Sequence, residues 1–353
     1  MQLGLCYQPV YCTPHFVHHL KTPYMSKVKN FEASNFKPPL WLANTHLQTI
    51  LPKFIMPEAP PYRRELTLDS LNESEVAYDF YDADEPKPKA GDKYQTPLVV
   101  LFHGMEGSSL SHYARTLAYY VHSQGWHFVV AHFRSCGGVP VKGKVFYDAG
   151  DSLEVHHSLE YLKKRYETIY SVGTSLGGNV LGKYMGEYQE DALCEAAAIV
   201  SAPLDLASSS IAMERLLGRR VYTPYLLNPI VSKALGHHLT PEEMAGVKAS
   251  RRISEFDQVF TAPRHGYRSK NDYYRQASAL PHLANIAKPT LIITAKDDPF
   301  LGIVPDQGDT SSEVVLCEPK RGGHIGFLSF QGKEFDASWY PKTAMDFFKT
   351  TQR

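Results

Sequence analysis

The 353-residue chain predicts an α/β protein: a mostly parallel sheet with helices on both faces and a mainly helical insertion. Three observations carry that expectation. From residue 98 onward, short apolar runs alternate with amphipathic stretches, the pattern of strands joined by crossover helices. One run, Ile169 to Val172, leads into Gly173-Thr174-Ser175-Leu176-Gly177-Gly178 and then into a helix-like stretch from Asn179. The stretch 204–287 contains no convincing strand, is rich in Leu, Tyr and Arg, and is too long for a connection inside a compact domain. It is expected to be a helical cap over a site at the sheet edge.

The elements follow in chain order. Residues 1–24 hold Pro9, Pro14 and Pro23 and have neither a lysine-led n-region nor an apolar h-region. They are expected to be a disordered extension or an upstream mis-start, with Met25 an ordinary start and 25–353 the folded domain. Glu65–Leu68 and Val76–Tyr81 alternate around the turn-rich Asp69-Ser70-Leu71-Asn72-Glu73 and predict an antiparallel hairpin. Pro86, Pro88 and Gly91 mark 82–97 as a surface loop. Strands are then expected at Leu98–Phe102, Phe128–His132, the run ending at Val172, Ala197–Ser201, Thr290–Thr294 and Val314–Leu316. Helices are expected at Leu110–Ser123 and from Asp148 to Tyr166. In the second, Val155, Leu159, Leu162 and Tyr166 fall on one face.

Composition narrows the function classes. Lysine plus arginine balance aspartate plus glutamate, giving zero net charge and a pI near 7.3. Bulk attraction to nucleic acid or to an anionic membrane is therefore not expected. Arg215 to Arg220 and Arg251-Arg252 read as solvated helix faces. The five cysteines (Cys6, Cys12, Cys136, Cys194, Cys317) lack metal spacing and read as reduced thiols of a cytoplasmic protein. No apolar run approaches the roughly 18 residues that a membrane span needs. Paired histidines at 18–19, 156–157 and 237–238 lack the helical spacing of metal ligands, so neither metal nor cofactor is expected.

The glycine-flanked Ser175 is the G-x-S-x-G nucleophile elbow in its required context, strand before and helix after. A serine there sits on a strained turn with its hydroxyl above the sheet edge, and side chains at Gly173 or Gly177 would clash. Acyl transfer also needs a base, an acid that orients it, and donors for the oxyanion. The acid belongs after a late strand, where Asp297 and Asp298 compete. Asp298 fits the spacing better, and the other carboxylate is free to cap the loop. Asp205 is a third candidate, although its position after Pro203 is that of a helix N-cap. The base is His324, flanked by Gly323 and Gly326 in a loop able to swing a ring over the serine. His103 is an alternative base, but its place before Gly104 suits a histidine that ties loops together. Cys136 lacks the elbow context and reads as a packed thiol. The oxyanion donors are expected to be the backbone N–H groups of Leu176 and Met105. The order Ser, Asp, His is that of the α/β-hydrolase fold.

These segments together resemble the YheT-type hydrolases, a bacterial branch of the α/β-hydrolase family that also holds eukaryotic medium-chain esterases and ethanol acyltransferases. The resemblance rests on Asn44 to Thr49, His103 to Gly107, His132 to Gly137, Gly173 to Asn179, Arg251 to Asp257, His265-Gly266-Tyr267, Tyr273 to Gln276, Ala295 to Phe300 and Gly322 to Phe327. It spans the chain after residue 40. It implies a Ser175–Asp298–His324 triad and hydrolysis of small-molecule carboxylic esters without a cofactor. Ser135 departs from the glycine usual in the family's arginine-containing loop. If Leu216, Leu217, Tyr222, Tyr225, Leu226 and Leu227 line a pocket rather than pack on one another, the acyl chain is short or medium. Acyl transfer to an alcohol would use the same residues, and a non-catalytic binding protein on the same scaffold is the alternative from another class.

Overall fold

A computed structural model describes residues 31–352 except Leu216. The expectation for residues 1–24 and the His18-His19 pair lie outside the described residues. The chain enters through a short helix α1 (Thr45–Ile50) and a hairpin of β1 (Arg63–Leu68) and β2 (Glu75–Tyr81). Then come β3 (Leu98–Phe102), α2 (His112–Ser123), β4 (His127–Ala131), α3 (Ser152–Lys163), β5 (Ile169–Thr174), α4 (Leu176–Tyr188) and β6 (Ala196–Val200). Helices fill the next stretch: α5 (Leu206–Met213), α6 (Thr223–Leu235), α7 (Pro241–Ala249), α8 (Ile253–Phe256), α9 (Ala262–Arg264) and α10 (Lys270–Ala277). The sheet resumes with β7 (Thr290–Ile293) and β8 (Val314–Cys317). A small hairpin, β9 (Ser329–Gln331) with β10 (Glu334–Asp336), and α11 (Trp339–Thr351) follow.

The main sheet has eight strands in the order β1-β2-β4-β3-β5-β6-β7-β8. β1 pairs antiparallel with β2, and β2 antiparallel with β4, while every later pairing is parallel. All residues of β3, β4, β5, β6 and β7 are buried. That is why these strands read as continuous apolar runs rather than alternating ones: helices cover both faces. One layer packs Val100, Leu159, Val180 and Leu181 against the sheet, and the other packs Val99, Leu117, Ala344 and Phe348 on the opposite side.

The expected elements appear within a few residues of their sequence-derived bounds. The α3 face Val155, Leu159, Leu162 is buried, and Tyr166, just past the helix end, is buried with it. The helix starts at Ser152 rather than Asp148 because Asp151 caps it, accepting from the Glu154 N–H. The β9–β10 hairpin and α11 were not anticipated; α11 buries Tyr340, Ala344, Phe347 and Phe348. Between β6 and β7 the described residues form helices and no strand.

Arg134 explains the loop after β4. It is buried and binds Asp69 at 2.7 Å, Glu154 at 2.6 Å, and Asp151. It thereby ties the β1–β2 turn to the start of α3. Ser135 beside it adopts φ 64°, the left-handed region where glycine is cheapest.

Candidate active site

The site lies at the carboxyl ends of the parallel strands. Ser175 joins β5 to α4 with φ 52° and ψ −123°, and its N–H donates to Val200 O on β6 at 2.9 Å. The strain is maintained by glycines that let backbones meet. A Cβ on Gly173 would lie 2.6 Å from Gly177 O, and one on Gly177 only 2.3 Å from Phe102 O. Gly177 therefore answers to β3 rather than to Gly173, a refinement of the clash expected from the motif.

His324 and Asp298 meet Ser175. The ring's Nε2 lies 2.9 Å from Ser175 Oγ, and its Nδ1 lies 2.9 Å and 3.1 Å from the two Asp298 oxygens. The Asp298 side chain is almost fully buried, and it also accepts from Phe300 N–H at 2.9 Å. Phe300 packs against the His324 ring with 4.1 Å between centroids and the two planes tilted by 31°. A carboxylate on Nδ1 fixes the tautomer that leaves an Nε2 lone pair facing the serine hydroxyl.

Asp297 points elsewhere. It accepts from Gly323 N–H at 3.0 Å and from Thr45 Oγ1 at 2.8 Å, so it fastens the histidine loop to α1. That helix adds two more ties: Thr49 Oγ1 accepts from His324 N–H at 3.0 Å, and the buried Gln48 amide exchanges bonds with Leu328 N–H and C=O, both at 2.8 Å. Ser201 at the end of β6 accepts from Ile325 N–H at 3.1 Å. The ties from α1 were missed in sequence because their partners lie at least 252 residues away. The only signal was the Asn44 to Thr49 segment, quoted for its resemblance and given no role. Asp205 caps α5, accepting from Ser208 N–H at 2.8 Å, and takes no part in the site.

The loop after β3 lies beside Ser175. Gly104 N–H donates to Tyr113 Oη, Glu106 N–H to Tyr147 Oη, and Gly107 N–H to Gly104 O. Among the described residues the N–H of Met105 takes no protein partner, and Leu176 N–H is in the open first turn of α4. Both residues line the cavity with Ser175. His103 is fully buried, accepts from Phe133 N–H at Nε2 and so donates from Nδ1 to Gly104 O at 2.7 Å. Burial pushes its pKa down to about 3, which makes it a neutral tie between loops. Cys136 is packed in the core, and burial pushes its thiol up to about 12. The histidine pairs diverge as neighbours do: His156 stacks on Tyr188, His157 donates to Leu68 O, and His237 packs on Phe146.

Ser175 and His324 open on a cavity of about 640 Å³. Tyr222, Tyr225, Leu226 and Leu227 line it, with Ile230 and Phe260. Leu217 does not line it, and Leu216 is outside the described residues. Of the described residues singled out in sequence for this pocket, only Leu227 also belongs, with Ile230 and Phe260, to a separate apolar cluster, so it both packs among the helices and lines the cavity. On the cavity wall formed by the α8–α10 region, Asp257 accepts from Thr261 Oγ1 and Tyr274 Oη, each at 2.8 Å. Burial, with the nearby Asp148 charge, pushes its carboxyl up to about 6.

Strand order, crossover helices and the strained serine between β5 and α4 define the class: this is an α/β hydrolase. The chain belongs to the alpha/beta hydrolase fold family, whose model matches residues 97–329. Within it the resemblance is to the YheT type. The chain is 38% identical over 307 residues to YheT of Escherichia coli (strain K12), whose name offers esterase as a provisional assignment; the match covers 84% of this chain and 88% of that protein. It is 28% identical over 287 residues to a Saccharomyces cerevisiae protein named monoacylglycerol lipase, covering 77% of this chain and 63% of the yeast one. In fold it is similar to the Pyrococcus furiosus esterase Pf2001, with a TM-score of 0.55 at 14% identity over 91% of this chain and 98% of that one. Among the described residues, no helix is long and apolar enough to cross a membrane.

Proposed function

We propose that the protein is a serine hydrolase of carboxylic esters, acting through Ser175, His324 and Asp298. The observation that carries this reading is the continuous chain of short contacts from Asp298 through His324 to Ser175 Oγ. In the first step His324 Nε2 takes the hydroxyl proton as Oγ attacks the ester carbon. The carbonyl oxygen becomes an oxyanion, which the Leu176 and Met105 amides stabilise; one such donor is worth about 3 kcal/mol in the transition state. His324 passes its proton to the leaving alcohol, the acyl group stays on Oγ, and water activated by the same imidazole releases the acid.

Residues 204–287 act in this reading as a helical cap over the nucleophile. Its support is that Tyr222, Tyr225 and Leu226 share a cavity with Ser175 and His324. The apolar walls and the volume suit a short or medium acyl chain.

The test is turnover of p-nitrophenyl esters from acetate to decanoate by the wild type and by Ser175→Ala. The proposal expects a chain-length optimum in the wild type. A folded wild type that turns over none of them, or a Ser175→Ala variant that retains activity, would refute it.

A further inference from the structure

A second histidine–carboxylate pair lines the same cavity. His265, at the end of α9, places Nδ1 2.7 Å from Asp148 Oδ2, in the loop before α3. Asp148 is buried and also accepts from Gly150 N–H. Burial alone would raise its carboxyl, but the hydrogen bond from His265 Nδ1–H, with that backbone bond, holds it below the usual range. With Nδ1–H directed at this carboxylate, the ring keeps Nε2 for another partner. Among the described residues no serine, threonine or cysteine side chain bonds that nitrogen, so the pair has no nucleophile to activate.

The loop carrying Asp148 is held near the nucleophile helix. Asn179, one turn after Ser175 on α4, donates to Ala149 O at 2.7 Å and to Ala277 O at 2.8 Å. Tyr273 Oη accepts from Ala149 N–H at 2.9 Å. The pair therefore sits on a fixed frame rather than a free loop. The cavity lining also holds the polar Asp257, Thr261 and Tyr274 beside the apolar Leu226, Leu227 and Phe260. An aliphatic group placed against His265 would strip water from Nε2 and give nothing back, which is costly.

We infer that His265, oriented by Asp148, forms a hydroxyl-binding subsite in the cavity, so that the preferred substrates carry a free hydroxyl beyond the reacting ester. Nε2 accepts a hydrogen bond from the hydroxyl, which belongs to the ligand and is recognised rather than deprotonated. The inference rests on the ester-hydrolase reading. The hydroxyl can sit on the alcohol part, as in a polyol ester, or on the acyl chain.

The test compares matched substrates: glyceryl monobutyrate against propyl butyrate for the alcohol part, and an ω-hydroxyacyl ethyl ester against its unsubstituted counterpart for the acyl part. The readout is the ratio of kcat/KM within each pair, for wild type, His265→Phe and His265→Gln. One pair is expected to show about a tenfold preference for the hydroxylated substrate, the size of one hydrogen bond. The phenylalanine variant should bring that ratio to about one, and glutamine should restore part of it. The pair that responds identifies the source of the hydroxyl. Calorimetric binding of the same substrates to Ser175→Ala and Ser175→Ala/His265→Phe reads recognition without turnover. A wild type that hydrolyses nothing, together with a binding preference in Ser175→Ala that His265→Phe removes, would refute the hydrolase reading and leave the subsite standing. No preference in either wild-type pair, or a ratio that His265→Phe leaves unchanged, would overturn the subsite.

Discussion

His324–Asp298 and His265–Asp148 line one cavity and share nearly the same geometry at Nδ1, 2.9 Å and 2.7 Å from a buried carboxylate. They differ at Nε2. His324 faces Ser175 Oγ at 2.9 Å, while His265 faces no hydroxyl of the described protein. A histidine–carboxylate pair is a general device for presenting a lone pair, and its use depends on what the fold puts opposite it. The elbow supplies that difference, since only a strained turn between β5 and α4 lifts a serine to the required place.

The comparison is broken most severely at the nucleophile. Ser175→Ala should lower kcat/KM on p-nitrophenyl butyrate by roughly 10⁴-fold or more, and His265→Ala by less than about tenfold on the same ester. Comparable losses from the two variants, with both folded by circular dichroism, would mean the pairs are not functionally distinct.

The adjacent carboxylates sharpen it next. Asp298→Asn, which leaves the shape but destroys the tautomer preference, should reduce kcat about 10³- to 10⁴-fold with little change in KM. Asp297→Asn weakens only the tie to Gly323 and Thr45, and a loss of about tenfold is expected. The kcat ratio of the two variants is the measurement, and parity would reassign the orienting acid.

A third effect is on stability. The Asp257 carboxyl is raised from 3.8 to about 6 in the folded protein. The folded chain thus holds a proton that the unfolded chain has lost between those values, so stability falls as pH rises through that window. Asp257→Asn should flatten the fall and raise stability at pH 7 by roughly 1–3 kcal/mol. Thermal unfolding from pH 4 to pH 7 reads it, and parallel curves for both proteins would contradict the assignment.

The smallest effect lies away from both pairs. Ser135, buried in the loop after β4, pays for a left-handed backbone at φ 64°. Ser135→Gly should stabilise the protein by about 0.5–1 kcal/mol in urea unfolding, with kcat unchanged.

How much of this was legible in the sequence follows from the range of the interactions. β3 to β7 were readable because a strand covered on both faces is largely apolar along its length. The turn at Ser175 was readable because its glycines are local, and the meeting of Asp298 and His324 beside it because strand ends fix which loops gather there. The clamp formed by Thr45, Gln48 and Thr49 on the His324 loop was not, since nothing in a six-residue segment reveals a partner about 280 residues away. The same holds for His265 and Asp148, which belong to different crossovers and meet only once the chain is folded. The sequence marked His265-Gly266-Tyr267 as distinctive but assigned it no chemistry.

The central claim, that Ser175 alone is activated, is tested most directly by labelling with a fluorophosphonate probe and mapping the adduct by peptide mass spectrometry in wild type and His324→Ala. The account predicts one adduct, on Ser175, formed at least a hundredfold more slowly in the variant. An adduct on another residue, or equally fast labelling of Ser175 without His324, would contradict it.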